Sequence, residues 1–168
     1  RRGLIDEPVS IQQLKRYAAD LDLEADDVFM PDCEEPTGKS VAIIGGGPLG
    51  LSAAYFLRRM GHDVTIFEAM PNAGGMLRYG IPEYRLPKAV LDEEILTIER
   101  MGVEIITNTK VGVDIPFETI RSDYDAVLLG IGAWVSTGVG CKGEDAEGVI
   151  GGIDFLRRVV RNEEIKLG

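Results

Sequence analysis

The protein has 168 residues, with 18 Lys and Arg against 28 Asp and Glu, which gives a formal net charge of −10 at pH 7. This acidic balance argues against nucleic acid and against an anionic membrane surface as partners, because both are bound through basic patches. Hydrophobic residues make up 45% of the chain, which excludes wholesale disorder, and no apolar run approaches the roughly 20 residues of a membrane span.

The part of the chain before position 41 divides into a helical segment and an acidic segment. From Pro8 to about Leu23 apolar residues recur at helical spacing, which predicts an amphipathic helix. Between Asp20 and Glu35 eight residues are acidic and none is basic, so we expect a solvated linker rather than an acidic binding arm. We therefore expect a short N-terminal helical segment over 1–30, a linker over 31–40 and the main domain over 41–168.

From position 41 onward short apolar strands alternate with amphipathic helices. The predicted strands are Val41–Ile44, Val64–Phe67, Val103–Ile106 and Ala126–Leu129. The predicted helices are Leu51–Met60, Lys88–Met101, Phe117–Arg121 and Ile153–Val160. Fully apolar strands are typical of a sheet covered on both faces. The alternation predicts an α/β fold with a parallel, doubly wound, Rossmann-like sheet.

A glycine-rich turn follows the first predicted strand, in a chain that contains 21 glycines. Gly45–Gly50 matches G-x-G-x-x-G and opens a predicted helix, which is the context that a dinucleotide-binding fingerprint requires. In that fingerprint Gly45 permits the tight turn, Gly47 lets a pyrophosphate approach the backbone, and Gly50 lets helix and strand pack closely. The N–H groups at the start of the helix would hold the phosphates.

An acidic residue closes the second predicted strand. Glu68 follows the glycine turn at the spacing of roughly 20 residues at which a carboxylate accepts hydrogen bonds from a ribose. The same carboxylate would repel a ribose 2′-phosphate, which disfavours NADP at this site. The hexamer alone is compatible with NAD(P) or with FAD, and a second glycine pair, Gly74-Gly75, follows a few residues later.

The segment that begins at this pair is similar to one family of flavoproteins. Residues 74–86, GGMLRYGIPEYRL, resemble the block G-G-x-L-x-Y-G-I-P-x-[FY]-[RK]-L of the glutamate synthase small-subunit family. That family includes the NADPH-binding part of dihydropyrimidine dehydrogenase and the large subunits of electron-bifurcating ferredoxin:NADP reductases. The resemblance extends from Val41 to about Val160. Residues 8–16, PVSIQQLKR, resemble the last helix of the family's iron–sulfur domain.

The resemblance implies that this chain is the FAD-binding portion of an NAD(P)H oxidoreductase. Electrons would pass from NAD(P)H through the flavin to iron–sulfur clusters or to a larger catalytic or electron-accepting subunit. The family's NAD(P)H domain, its C-terminal FAD segment and its cluster cysteines are not among these 168 residues. We therefore expect the isolated chain to be inactive, since nicotinamide and flavin must be placed against each other. We also expect it to retain little FAD, because half of the family's FAD pocket is absent.

The resemblance also assigns cofactor contacts, but no catalytic residue. The phosphate turn contributes Gly45, Gly47, Pro48, Leu49 and Gly50. The adenosine ribose is assigned to Glu68 with Ala69, and the rest of the cofactor to Gly74, Gly75 and Met76. The remaining assignments are Arg85 near the flavin or its phosphates, the Val111 backbone at the adenine, and Gly132 with Ala133 at the diphosphate. Three positions depart from the family's usual residues, namely Leu49, Gly130 and Ile131.

Cysteine and histidine are scarce. Cys33 and Cys141 lie far apart and form no Cys-x-x-Cys pair, and His62 is the one histidine, so we expect no metal site. Two lone cysteines without a secretory signal sequence favour a cytoplasmic protein. Two other functions stay open from the sequence. One is a non-catalytic nucleotide-binding interaction module, and the other is a simple dehydrogenase domain that binds NAD without FAD.

Overall fold

The computed structural model describes residues 2–165. A boundary between Pro31 and Asp32 divides the chain into two compact units. The first unit contains a short 3-10 helix, Arg2–Leu4, and helix α1, Ile11–Leu23, which confirms the predicted N-terminal helix with a later start. The proposed limits 1–30, 31–40 and 41–168 stay a prediction, and residues 1 and 166–168 lie outside the described residues.

The second unit is built on a parallel sheet. Its strands, within the described residues, are β1 (Ser40–Ile44), β2 (Asp63–Phe67), β3 (Glu104–Ile106) and β4 (Ala126–Leu129). They lie in the order β3-β2-β1-β4. Its helices are α2 (Pro48–Arg59), α3 (Met76–Tyr79), α4 (Lys88–Arg100), α5 (Phe117–Asp123) and α6 (Gly152–Val160). The predicted α/β class and parallel sheet are confirmed.

The two central strands form because their side chains are buried on both faces of the sheet. On one face Ile43 and Ile66 are fully buried beneath α2 and α4, where they pack with Leu51 and Leu91. On the other face a smaller cluster joins Ala42, Phe67 and Ile120 of α5. Burying one such aliphatic side chain contributes about 1.5–3 kcal/mol, so these two clusters hold the sheet between its helices.

The strand order creates a topological switch point between β1 and β4. The chain passes from β1 to β2 and then β3 on one side, and returns to β4 on the other side of β1. In open parallel sheets the loops that follow two such strands diverge and leave a crevice at the carboxyl edge, where ligands bind. The turn after Ile44 and the segment after Leu129 therefore flank the candidate site.

Part of the segment predicted as a linker is held within the second unit. The Glu34 N–H donates to the Arg59 carbonyl at 2.8 Å, and the Thr37 N–H donates to the Gly61 carbonyl at 2.9 Å. A Cβ at Gly61 would lie 2.1 Å from the Glu35 carbonyl oxygen, so the two backbones touch. These contacts fix residues 34–37 along the corner between α2 and β2.

Asp125 joins the beginning of β4 to the beginning of β1. Its carboxylate accepts hydrogen bonds from Lys39 Nζ at 2.8 Å and from the Ser40 N–H at 2.9 Å. The Lys39 ammonium, and next the Ser40 N–H, lower the pKa of Asp125 from 3.8 to about 2. A carboxyl group whose pKa is lower in the folded state than in the unfolded state stabilises the fold at pH values above the unfolded-state pKa. This contribution is lost as the pH falls through the folded-state pKa.

We expect Asp125→Asn to lower the free energy of unfolding at pH 6. The effect should be smaller at pH 3, because pH 3 lies between the unfolded-state pKa of 3.8 and the folded-state pKa of about 2. Urea denaturation followed by circular dichroism at both pH values measures the difference. Asp145→Asn, at an exposed position, is the matched control and should show no such trend. An Asp125→Asn difference that is as large at pH 3 as at pH 6 would contradict the ion-pair assignment.

Candidate functional site

The site begins at the tight turn after β1. Gly45 adopts φ +109°, and its N–H donates to the Phe67 carbonyl at 2.8 Å. A Cβ at Gly45 would lie 2.5 Å from the Gly130 carbonyl oxygen. A glycine is required here for its dihedral angle and for the close approach of the segment after β4.

Gly50 brings α2 against β1. It lies in the first turn of the helix, and a Cβ there would lie 2.0 Å from the Gly45 carbonyl oxygen and 3.2 Å from Ile43 Cγ2. Because one of these neighbours is backbone, a side chain could be accommodated only by moving the helix. Gly50 therefore sets how closely the N-terminus of α2 approaches the turn.

Gly47 has a different environment. It is the N-cap of α2 in an extended conformation, with φ −80° and ψ −174°, and no side chain among residues 2–165 caps the helix. A Cβ at Gly47 would meet only Gly75 Cα, at 3.8 Å. The N–H groups of Leu49 and Gly50 precede the first helical bond, from Leu51 N–H to the Gly47 carbonyl. N–H groups that lie before the first helical hydrogen bond, together with the positive end of the helix dipole, suit an anion such as a diphosphate.

Glu68 lies beneath this turn and is buried. Its Oε2 accepts a hydrogen bond from the Gly46 N–H and its Oε1 accepts one from the Met70 N–H, both at 2.7 Å. The sequence predicted a ribose acceptor at Glu68 and did not predict these two backbone donors. Each carboxylate oxygen keeps a second lone pair for a ligand hydroxyl, so Glu68 can hold the turn and also bind a ribose.

The second glycine pair packs directly on the first turn. The Gly74 N–H donates to the Gly46 carbonyl at 2.7 Å, and both Gly74 and Gly75 have positive φ angles, +122° and +51°. A Cβ at Gly75 would lie 2.7 Å from Gly47 Cα. The two glycine turns thus contact each other backbone to backbone, and Met76 follows at once as the first residue of α3.

The segments after β3 and β4 reach the same edge of the sheet. The Thr109 N–H donates to the Glu68 carbonyl at 2.9 Å, which places Val111 two residues beyond this contact. The Gly130 N–H donates to the Ile44 carbonyl at 2.8 Å, and the exposed residues Gly132 and Ala133 follow. The fold therefore brings these assigned positions to the carboxyl ends of the strands.

Arg85 lies apart from this group. It is exposed on the loop between α3 and α4, where its own N–H donates to the Pro82 carbonyl at 3.0 Å. Within residues 2–165, no hydrogen bond or ion pair joins the Arg85 side chain to the glycine turns. Its assigned place beside a cofactor stays a prediction.

Leu49 and Gly130, two of the three residues that differ from the family's usual residues, lie close together in the structure. The Leu49 side chain stands over the segment after β4, and a Cβ at Gly130 would lie 3.0 Å from Leu49 Cδ2. The leucine of the first glycine turn therefore packs close to the glycine opposite it.

The sequence did not indicate the importance of Arg78. Its guanidinium is buried, donates from Nε to the Ala73 carbonyl at 2.6 Å and forms an ion pair with Asp92 of α4. It thereby ties the residue before the glycine pair to the next long helix. Arg78 falls at a variable position of the family block, and its acceptor is a backbone carbonyl, so neither the block nor a helical period predicted this role.

The rings of Trp134, in the segment after β4, and Tyr79, in α3, lie close together. Their ring centroids lie 5.7 Å apart, and Tyr79 is buried with its hydroxyl 3.3 Å from both the amide nitrogen and the carbonyl oxygen of Asn72. Trp134 directly follows Gly132 and Ala133 and is the one tryptophan of the sequence. Its indole is therefore a spectroscopic reporter placed beside the candidate site.

Two classes of feature are missing from the described part of the chain. None of its helices has the length and apolar character needed to cross a membrane. Residues 2–165 also contain no group of three or more His, Cys, Asp or Glu side chains arranged to hold a metal ion.

Comparison with known proteins shows which family this chain is similar to. Residues 34–166 match the family model described as pyridine nucleotide-disulphide oxidoreductase. The beta subunit of the NADP(+)-dependent formate dehydrogenase of Moorella thermoacetica is 46% identical, over 94% of this chain and 26% of that subunit. The glutamate synthase [NADPH] small chain of Bacillus subtilis is 38% identical, over 92% of this chain and 31% of the relative. This second relative confirms the resemblance predicted from the sequence.

A solved structure extends the comparison to the fold. FprA of Mycobacterium tuberculosis, in complex with NADPH, superposes with a TM-score of 0.62 at 26% identity, over 74% of this chain and 29% of FprA. The chain spans about a quarter to a third of the length of these three proteins. The formate dehydrogenase and glutamate synthase relatives are both named as subunits.

Proposed function

Because the chain belongs to the pyridine nucleotide-disulphide oxidoreductase family, we propose that it is the FAD-binding portion of an NAD(P)H oxidoreductase. In this proposal electrons pass from NAD(P)H through the flavin to iron–sulfur clusters or to a partner subunit. FAD, when bound, supplies the redox chemistry. The residues of this chain bind and orient the cofactor.

The observation that carries the proposal is the pair of glycine turns at the uncapped N-terminus of α2. A diphosphate would accept hydrogen bonds from the N–H groups of Leu49 and Gly50, and Gly47 leaves room for it because its hypothetical Cβ meets only Gly75. Glu68 would accept the hydroxyls of the adenosine ribose. A carboxylate at this position disfavours a 2′-phosphate, which supports FAD over NADP here.

The proposed partner is a larger electron-accepting subunit. Support comes from the relatives, which are named as a beta subunit and a small chain. The two cysteines of this sequence cannot supply the four thiolates that a typical iron–sulfur cluster needs. The clusters of the proposed electron path would therefore be held by other protein segments.

A fluorescence titration tests the proposed cofactor. FAD is added to the isolated chain while Trp134 emission is followed, and NAD and NADP are titrated in parallel, with free tryptophan as the control for absorption by the flavin. We expect saturable quenching by FAD, with an affinity too weak for the flavin to remain bound during purification. Calorimetry checks each dissociation constant independently.

The other outcomes of this titration have definite meanings. Saturable binding of NAD without FAD would favour the simple dehydrogenase domain and overturn the proposal. A yellow protein purified with one FAD per chain would support FAD binding but contradict the expectation of weak retention. Binding of none of the three dinucleotides would also overturn the proposal.

A further inference from the structure

The charge of Lys88 is unfavourable for its position in the helix. It is the first residue of α4, where the positive end of the helix dipole disfavours a cation. Burial lowers the pKa of the Lys88 ammonium, Glu83 raises it and Arg78 lowers it further. A cation in such a position needs compensating acceptors nearby.

Three backbone carbonyls supply those acceptors. Lys88 Nζ donates to the carbonyls of Leu77 at 3.1 Å, Ile81 at 2.6 Å and Leu86 at 3.0 Å. An ammonium group has three donors and no acceptor, so these contacts use its full hydrogen-bonding capacity. Leu77 belongs to α3, a helix so short that its last carbonyls have no N–H partner within the helix. Ile81 and Leu86 lie near the two ends of the loop that follows α3.

The same loop presents Arg85 to solvent. The N–H groups of Arg85 and Leu86 donate to the Pro82 carbonyl at 3.0 and 3.1 Å, which forms a turn inside the loop. The Glu83 carboxylate accepts the Lys88 N–H at 3.0 Å and closes the loop on the start of α4. The backbone of Arg85 therefore lies directly beside one carbonyl held by Lys88 and four residues after another.

We infer that Lys88 is a positioning residue, whose ammonium fixes residues 81–86 and so holds Arg85 ready for the cofactor. This inference rests on the proposed function, because the role of Arg85 toward the flavin or its phosphates is part of that proposal. A guanidinium on a fixed loop loses less conformational entropy on binding an anion than one on a loose loop. Lys88 thus raises the affinity for FAD without touching it.

The test is a double-mutant cycle on FAD affinity. Lys88→Met keeps the aliphatic stem and removes all three hydrogen bonds, and we expect it to weaken FAD binding about tenfold in the Trp134 titration. In an Arg85→Met background the same change should weaken binding less than about twofold, because the residue that Lys88 positions is then absent. Lys142→Met, at an exposed lysine, gives the same charge change and should leave the affinity unaltered.

Hydrogen exchange provides a readout that needs no cofactor. In Lys88→Met the amides of Arg85 and Leu86 should exchange at least about tenfold faster, while the amides of β1 keep their relative protection. If Lys88→Met does not fold, Lys88→Arg replaces it in the same cycle, since it keeps the charge but cannot bind three converging carbonyls. We then expect a loss of about threefold that again disappears without Arg85.

The outcomes separate the inference from the proposed function. If the wild-type chain binds FAD and the two substitutions are additive, Lys88 does not act through Arg85 and the inference is wrong, while the proposed function stands. Loop amides that exchange at the wild-type rate in Lys88→Met would also overturn it. If the wild-type chain binds no FAD, the proposed function fails and the inference fails with it.

Discussion

Gly47→Ala is expected to weaken FAD binding about 100-fold and to change the free energy of unfolding by less than about 1 kcal/mol. The backbone at Gly47 has an ordinary φ of −80°, and the added methyl would meet only Gly75 Cα at 3.8 Å, so the fold tolerates it. The methyl would stand where the diphosphate approaches the helix N-terminus. Losing one or two charge-assisted hydrogen bonds, each about 1.5–3 kcal/mol, gives an effect of this size.

Calorimetry of FAD binding, with urea denaturation of the same preparation, measures both quantities. Gly152→Ala is the matched control, because Gly152 also opens a helix and a Cβ there meets nothing within 4 Å. This control should keep the FAD affinity of the wild type. An unchanged affinity in Gly47→Ala would mean that the diphosphate does not bind at this turn.

Gly50→Ala, unlike Gly47→Ala, should strongly lower the free energy of unfolding. The new Cβ would lie 2.0 Å from the Gly45 carbonyl oxygen, which forces α2 away from β1. Overpacking of this kind costs about 1–3 kcal/mol and sometimes more, which greatly exceeds the gain of up to about 1 kcal/mol from replacing a helical glycine. Against a typical total stability of about 5–15 kcal/mol this is a severe loss.

Urea denaturation followed by circular dichroism measures that loss, and we expect the midpoint to fall clearly below that of Gly47→Ala. FAD binding should be lost as well, because the N–H donors move with the helix. A Gly50→Ala protein with the wild-type midpoint would show that α2 does not approach the turn as closely as described. Together the two alanine variants distinguish Gly47, which is proposed to contact the cofactor, from Gly50, which is needed for the stability of the fold.

The strands and long helices could be predicted because burial on both faces leaves a strong sequence pattern. β4 was predicted at its observed limits, Ala126–Leu129, and the other strands differ by one residue at the start. α2 begins at Pro48 rather than at Leu51, since proline is favoured in the first turn of a helix and the fingerprint drew it into the loop. The helix α3 was missed because four residues are too few to show a helical period.

The side-chain contacts that organise the site were less predictable. The sequence indicates Glu68 as an acceptor for a ribose, but the Gly46 and Met70 donors that it binds are backbone groups with no sequence signature. Lys88 and Arg78 likewise bind carbonyl oxygens, which every residue type carries. Arg78 occupies a variable position of the family block and Lys88 lies beyond its last residue, so the block did not predict these contacts either.

The position of β4 beside β1 has a consequence for how the protein folds. Val41 of β1 pairs with Val64 of β2, and a single helix separates these two strands along the chain. Val41 also pairs with Ala126 of β4, which comes only after β2, β3 and the helices between them. Closing the longer loop costs more chain entropy, and non-local parallel pairing is slow. A nascent chain that has emerged only as far as β3 can form three neighbouring strands, but it lacks one wall of the crevice. The proposed dinucleotide site is therefore completed late, after most of the central sheet has already formed.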